Sequence, residues 1–220
     1  MSYKQNFTLV PFLVTILSAF SLYLMNPVAY DIVFGLEGLA EWLQFGSYFL
    51  AGSIFLISGF QFAQKEHGLG KYIPLIFGFF VLVTALEEIS WGQKVFNFTT
   101  PDAISQINTQ GELTMHNLES LQPLLHRAYI LSGVLLASLT FFRDRKIMKL
   151  FKPELSDFLP PVRLVPYFIS TSLFYFSLDY INPLLGGVIG NHQEVFETLF
   201  SFGILLWSLS LRISKESKKS

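Results

Sequence analysis

Six apolar runs dominate the 220-residue sequence and leave it few ways to fold. Each is close to the roughly 20 residues that a helix needs to cross about 30 Å of hydrocarbon. They extend from Phe7 to Met25, Leu39 to Phe62, Tyr72 to Phe96, Pro123 to Phe142, Leu164 to Ile181 and Val195 to Ile213. Inside a bilayer every backbone N–H and C=O must find its partner within the chain, which leaves helices or closed barrels. The period-two alternation of barrel strands is missing from these runs, so helices are expected. The predicted fold is all-α: a polytopic transmembrane bundle of six spans, one domain over residues 1–220. Composition agrees, with 51% hydrophobic residues, 14% charged residues and a mean hydropathy of +0.47. Such a chain is neither disordered, nor fibrous, nor a nucleic-acid binder. The lack of cysteine removes disulfides, Cys-ligated zinc, iron–sulfur clusters and thiol catalysis. The first run resembles the apolar core of a signal peptide. Its small-residue triplet Ala19-Phe20-Ser21 lies inside the run rather than after it, which predicts a retained span.

Lys and Arg resist translocation, so their distribution orients the spans. One side collects 13 of the 15 basic residues: Lys4, Lys65, Lys71, the cluster from Arg143 to Arg163, and the tail from Arg212 to Lys219. Only Lys94 and Arg127 fall on the other. This predicts cytoplasmic N- and C-termini and a multi-pass protein of the bacterial cytoplasmic (inner) membrane, surrounded by membrane lipids. Acidic residues run the opposite way, with 11 of 16 at the outer helix ends. His116, His126 and His192 are there too, and His67 alone lies in an inner loop. The net charge of -1 is therefore the sum of an acidic outer face and a basic inner one.

Several outer carboxylates fall below the membrane surface. A third helix entering near Tyr72 places Glu87 and Glu88 roughly 22 to 24 Å along its axis, inside the outer third of the core. Glu41, Asp179 and Glu197 reach similar depth on other helices. Intramembrane carboxylates are expensive and mark functional sites by default. Glu87 shares a helical face with Ser90 and Trp91 at i+3 and i+4, and Glu88 lies about 100° round. The long outer connection from Asn97 to Gln122 is expected to carry short helices. Pro101 and Asp102 open one, Gly111 interrupts it, and a second presents Glu112, His116 and Glu119 as one stripe. Such a loop suits a lid over the acidic cluster. His192, Glu194 and Glu197 repeat the polar mixture at the start of the sixth helix.

The run Glu87-Glu88-Ile89-Ser90-Trp91-Gly92-Gln93, followed by Asn108-Thr109-Gln110-Gly111-Glu112 and His116-Asn117-Leu118, resembles a signature of uncharacterised bacterial integral membrane proteins. The resemblance covers roughly Leu86 to Leu118. It implies membership of a membrane-protein family and no particular chemistry.

Three function classes fit these residues. The first is an intramembrane enzyme acting on a lipid-like substrate at the outer leaflet, with Glu87, Glu88, Glu112 and His116 as the catalytic candidates. Carboxylates and imidazoles suit a divalent metal such as zinc, manganese or iron, for which His116, Glu112, His192, Glu194, Glu197 and Asp179 are the candidate ligands. A metal-free variant would use Glu87 and Glu88 as an acid–base pair held at different pKa values. The second class is a cation- or proton-coupled transporter fed by an acidic vestibule. The third is a non-enzymatic accessory subunit with a protein partner in the membrane. Against all three stands the plainer reading that Glu87, Glu88, Glu112 and His116 form a polar network holding helices and loop together. His126 with Arg127 reads as an interfacial anchor. Asn97-Phe98-Thr99 is formally a glycosylation sequon.

Overall fold

A computed structural model describes the protein over residues 8–35, 38–64, 72–143, 158–185 and 192–217. Glu37, His67, the basic cluster of 144–157 and residues 218–220 lie outside the described residues. Regular structure among the described residues is helical, apart from one isolated antiparallel bridge between Asn108 and Leu118. The helices are α1 (Val10–Met25), α2 (Pro27–Phe34), α3 (Leu39–Ala63), α4 (Ile73–Glu88), α5 (Gln93–Phe96), α6 (Asp102–Ser105), α7 (Gln122–Phe142), α8 (Val165–Phe176) and α9 (Gln193–Ser217). Proline stands in the first turn of α1, α2, α4, α7 and α8, where its missing N–H costs nothing and its fixed φ starts the helix.

Three segments contain a helix long and apolar enough to cross a membrane: Pro27–Phe62, which includes α3, Gln122–Phe142 and Gln193–Leu211. A fourth is added if α4 and the segment Ser90–Phe96 count as one bent span. The apolar runs thus become helices, and a multi-pass membrane protein fits this bundle. Two details depart from the expected helices. The third, expected to be continuous from Tyr72 to Phe96, breaks after Glu88 and bends by 62°. Between the first and second runs lies a helix that the runs do not contain: α2, started by Asn26, whose Oδ1 accepts from the Ala29 N–H at 3.1 Å.

The outside of the bundle is apolar and its inside partly polar, the reverse of a water-soluble domain. Ile76, Phe79 and Phe80 on α4 and Leu124, Leu131 and Leu135 on α7 are exposed, while Gln44, Ser47, Thr171, Thr198 and Ser201 are buried. α3 packs between α4 and α9, and α8 between α9 and α7. The order α4, α3, α9, α8, α7 forms an arc whose two end helices face each other across a cleft. Small residues permit the closest approaches. A Cβ at Gly133 on α7 would lie 2.5 Å from the Phe168 carbonyl oxygen of α8, and one at Gly78 on α4 would lie 2.9 Å from the Leu56 nitrogen of α3. Below the cleft, Phe55, Phe77, Phe158 and Trp207 pack edge-on or tilted, and the Trp207 indole N–H donates to the Phe158 carbonyl at 2.7 Å. Tyr167 fastens α1 to α8 by donating to the Thr8 carbonyl and accepting from the Phe12 N–H.

Candidate functional site

The break after α4 is a backbone feature. Ser90, Trp91 and Gly92 have φ of 51°, 54° and 91°, three consecutive left-handed residues of which only the last is glycine. Each non-glycine residue there costs about 1–2 kcal/mol. Side chains of the same segment offset that cost by holding the outer loop. The Ser90 hydroxyl, fully buried, donates to Glu112 Oε2 at 2.7 Å. The Trp91 indole N–H donates to Glu87 Oε1, and Glu87 Oε2 accepts from the backbone N–H groups of Met115 at 2.7 Å and His116 at 3.1 Å. Gln93 accepts from the Leu113 N–H at 2.8 Å and donates to Thr100 Oγ1 at 2.7 Å. Lys94 donates to Glu41 at the start of α3 and lies 3.4 Å from Glu112 Oε1.

The same bonds explain why Glu112, His116 and Glu119 are not a helical stripe. Residues 112–121 are turns and bends rather than helix. Asn108 Oδ1 accepts from the Gln110 and Glu112 N–H groups, and its amide donates to the Thr114 carbonyl. Asn117 donates to Gln110 Oε1 at 2.8 Å. Side-chain oxygens thus take the backbone donors that a helix would have used, as Asn does in turns. Glu112 and His116 consequently point different ways. Glu112 is spent on Ser90 and Lys94. The His116 ring, with Nδ1 3.4 Å from Glu87 Oε2, lines the cleft.

That cleft, about 940 Å³, lies between α4 and α7 and is floored by α9. Its walls divide by chemistry. Phe77, Phe80, Val81, Leu135, Leu136 and Ile204 line one part, and Glu87, Glu88, Glu194, Glu197, His116 and His126 another. Helix ends that are far apart in sequence deliver the polar groups. Glu197 on α9 accepts a hydrogen bond from the Tyr175 hydroxyl of α8. Glu194 accepts one from Gln44 of α3 at 2.8 Å. Tyr129 of α7 stacks on Tyr175 with ring centroids 4.7 Å apart. Glu88 is 7% exposed and receives no hydrogen bond among the described residues. Glu87 and Glu88 therefore do different things: the first holds the loop, and the second faces the cleft.

Asp179 lies on one turn of π-helix, Ser177–Ile181, that continues α8. Its Oδ1 is 2.6 Å from His126 Nδ1. With Nδ1–H donating to the carboxylate, the other ring nitrogen, Nε2, is left as an acceptor. Nε2 is buried and has no hydrogen-bond partner among the described residues. His126 lines the main cleft and also a second cavity of about 340 Å³, shared with Arg127, Asp179 and Tyr180. It is a cleft residue, not only the interfacial anchor expected of it. Its pairing with Asp179, 53 positions away, carries no local signal in the sequence.

Each of the six residues considered as metal ligands has another partner, although His116, Glu194 and Glu197 share the cleft. Glu112 goes to Ser90, His116 to Glu87, Asp179 to His126, Glu194 to Gln44 and Glu197 to Tyr175. His192 is on the far side of α9's first turn, where its Nδ1 lies 2.6 Å from the Tyr30 hydroxyl and its ring sits edge-on to Tyr23. Among the described residues no three His, Asp or Glu side chains are placed to hold a metal ion. None of the six is thereby identified as a ligand.

Burial holds the His192 imidazole below its ordinary range. Below about pH 6.5 the unfolded chain therefore binds a proton that the folded chain resists, so stability falls as pH drops through this window. Thermal unfolding of the detergent-solubilised protein between pH 7.5 and 5.5 checks this. The wild type should lose melting temperature toward the acid end, and His192→Gln should flatten that slope.

Comparison with known proteins finds no family model, no curated protein and no solved structure that matches the chain. Functional assignment therefore rests on the site itself.

Proposed function

We propose that this chain is a six-span protein of the bacterial inner membrane, with both termini cytoplasmic, that binds a lipid-like amphiphile between α4 and α7. It performs metal-free acid–base chemistry on the head group at the outer-leaflet side. The observation that carries this reading is the divided lining of the cleft: an apolar half built from α4, α7 and α9, and a half with Glu88, Glu197 and His126. Ligand sites are commonly concave and mostly apolar, with a few convergent polar groups. A cleft flanked by two helices with exposed apolar faces also admits a chain from the side, out of the bilayer. Glu88, Glu197 and His126 are suitable proton donors and acceptors for a bound head group.

A second reading, a non-enzymatic accessory subunit, is favoured by one observation. Glu87 and Glu112, two of the four expected catalytic residues, are occupied in holding the loop. The two readings separate in one experiment. The protein is reconstituted with phosphatidylethanolamine, phosphatidylglycerol and cardiolipin, its retained lipids are identified by native mass spectrometry, and lipid products are followed over time. The enzyme reading predicts retained lipid and time-dependent products, both lost in Ser132→Trp, which fills the cleft. Retained lipid without products would support the accessory reading. Equal retention by wild type and Ser132→Trp would remove the cleft as the binding site.

A further inference from the structure

The cleft's polar half carries amides, hydroxyls and carboxylates but no permanent cation among the described residues. Glu87, Glu88, Glu194 and Glu197 line it, and no Lys or Arg does among the described residues. The two outer cations are committed elsewhere. Lys94 is held by Glu41 and Glu112, and Arg127 lines the second cavity. An anionic head group would therefore enter a site with carboxylates and no permanent cation, and like charges brought together in this way cost several kcal/mol.

Two further features point to the opposite charge. Tyr48, Tyr129 and Tyr175 line the cleft beside Glu88 and Glu197. Aromatic rings grouped with carboxylates suit an ammonium ion, although Tyr129 and Tyr175 cover one face of each other. Glu88 adds an unpaired acceptor, 7% exposed and without a hydrogen bond among the described residues. A buried acceptor left unpaired costs free energy that a ligand N–H recovers.

We propose that the amphiphile taken by this cleft carries a primary ammonium head group, held by Glu88 and Glu197 beside the tyrosines. The apolar half receives its chain. This inference rests on the amphiphile reading above and names its ligand class.

Three single-chain probes test it in phosphatidylcholine nanodiscs, with empty nanodiscs as the partition control: dodecylamine, monolaurin and dodecyl phosphate. Dodecylamine is expected to bind at least about tenfold more tightly than dodecyl phosphate. Glu197→Gln and Glu88→Gln, each checked for an unchanged melting temperature, should each weaken dodecylamine and leave monolaurin within about twofold. If one of the two fails to fold, the other serves the same test. Tighter binding of monolaurin or dodecyl phosphate than of dodecylamine overturns the ammonium assignment and leaves the amphiphile reading standing. Dodecylamine binding that neither substitution weakens also overturns the assignment. Binding of none of the three to the protein overturns both.

Discussion

Lys94→Met is expected to cost about 3–5 kcal/mol of stability, the usual penalty for removing one partner of a buried ion pair. The Lys94 side chain is 14% exposed, that of Glu41 8% and that of Glu112 9%. Methionine fills similar space but leaves two carboxylates facing each other with no cation between them. The loss has a particular location. Lys94 ties the start of α3 to the outer loop through the segment after the bend, so the loop should loosen with it. Thermal unfolding in detergent measures the cost, and limited proteolysis within residues 97–122 reads the loosening. Adding Glu112→Gln to Lys94→Met removes one of the uncompensated charges and should recover part of the loss. An unchanged melting temperature in Lys94→Met would mean that water reaches the triad and screens it.

Glu88→Gln and Glu197→Gln are expected to lower the turnover of bound lipid by about 10²–10⁴-fold, the range that one positioned acid or base contributes. Both substitutions keep shape and remove the ability to exchange a proton. Glu87→Gln should behave differently, although it is the immediate neighbour of Glu88. Its carboxylate accepts from Trp91, Met115 and His116, so weakening it should lower stability and disturb the loop before it touches chemistry. Lipid products from proteoliposomes, measured beside melting temperatures, separate the two behaviours. Full turnover in Glu88→Gln and Glu197→Gln would end the acid–base reading of the cleft.

Hydropathy made much of the architecture legible. The run from Leu39 to Phe62 is α3 to within a residue, and the runs ending at Phe142 and beginning near Val195 are α7 and α9. The clustering of acids at outer helix ends also has a counterpart: Glu41, Glu88, Asp179 and Glu197 all lie at one end of the bundle, bridged by contacts among α3, α7, α8 and α9. Three things were hidden, each for a physical reason. The bend at Ser90-Trp91-Gly92 depends on left-handed backbone at two residues that ordinarily avoid it, and hydropathy carries no sign of this. The stripe of Glu112, His116 and Glu119 has helical spacing, but Asn108, Gln93 and Glu87 capture the backbone donors a helix would need. His126 looked like a surface anchor because its partner Asp179 is remote in sequence. Gly92, within the motif, contributes through its φ of 91°.

The π turn at Ser177–Ile181 gives the cleft an unusual kind of vulnerability. A wider turn accommodates one residue more than regular α-helix, and such insertions recur at functional sites. Asp179 reaches His126 from inside this turn. Each residue in an α-helix advances the facing direction by about 100°, so a return to regular winding would swing a carboxylate at this position away from the imidazole. The spacing of the chain there, more than the identity of any side chain, keeps the pair aligned. A shift in chain length by a single residue could disconnect them with every functional group still present.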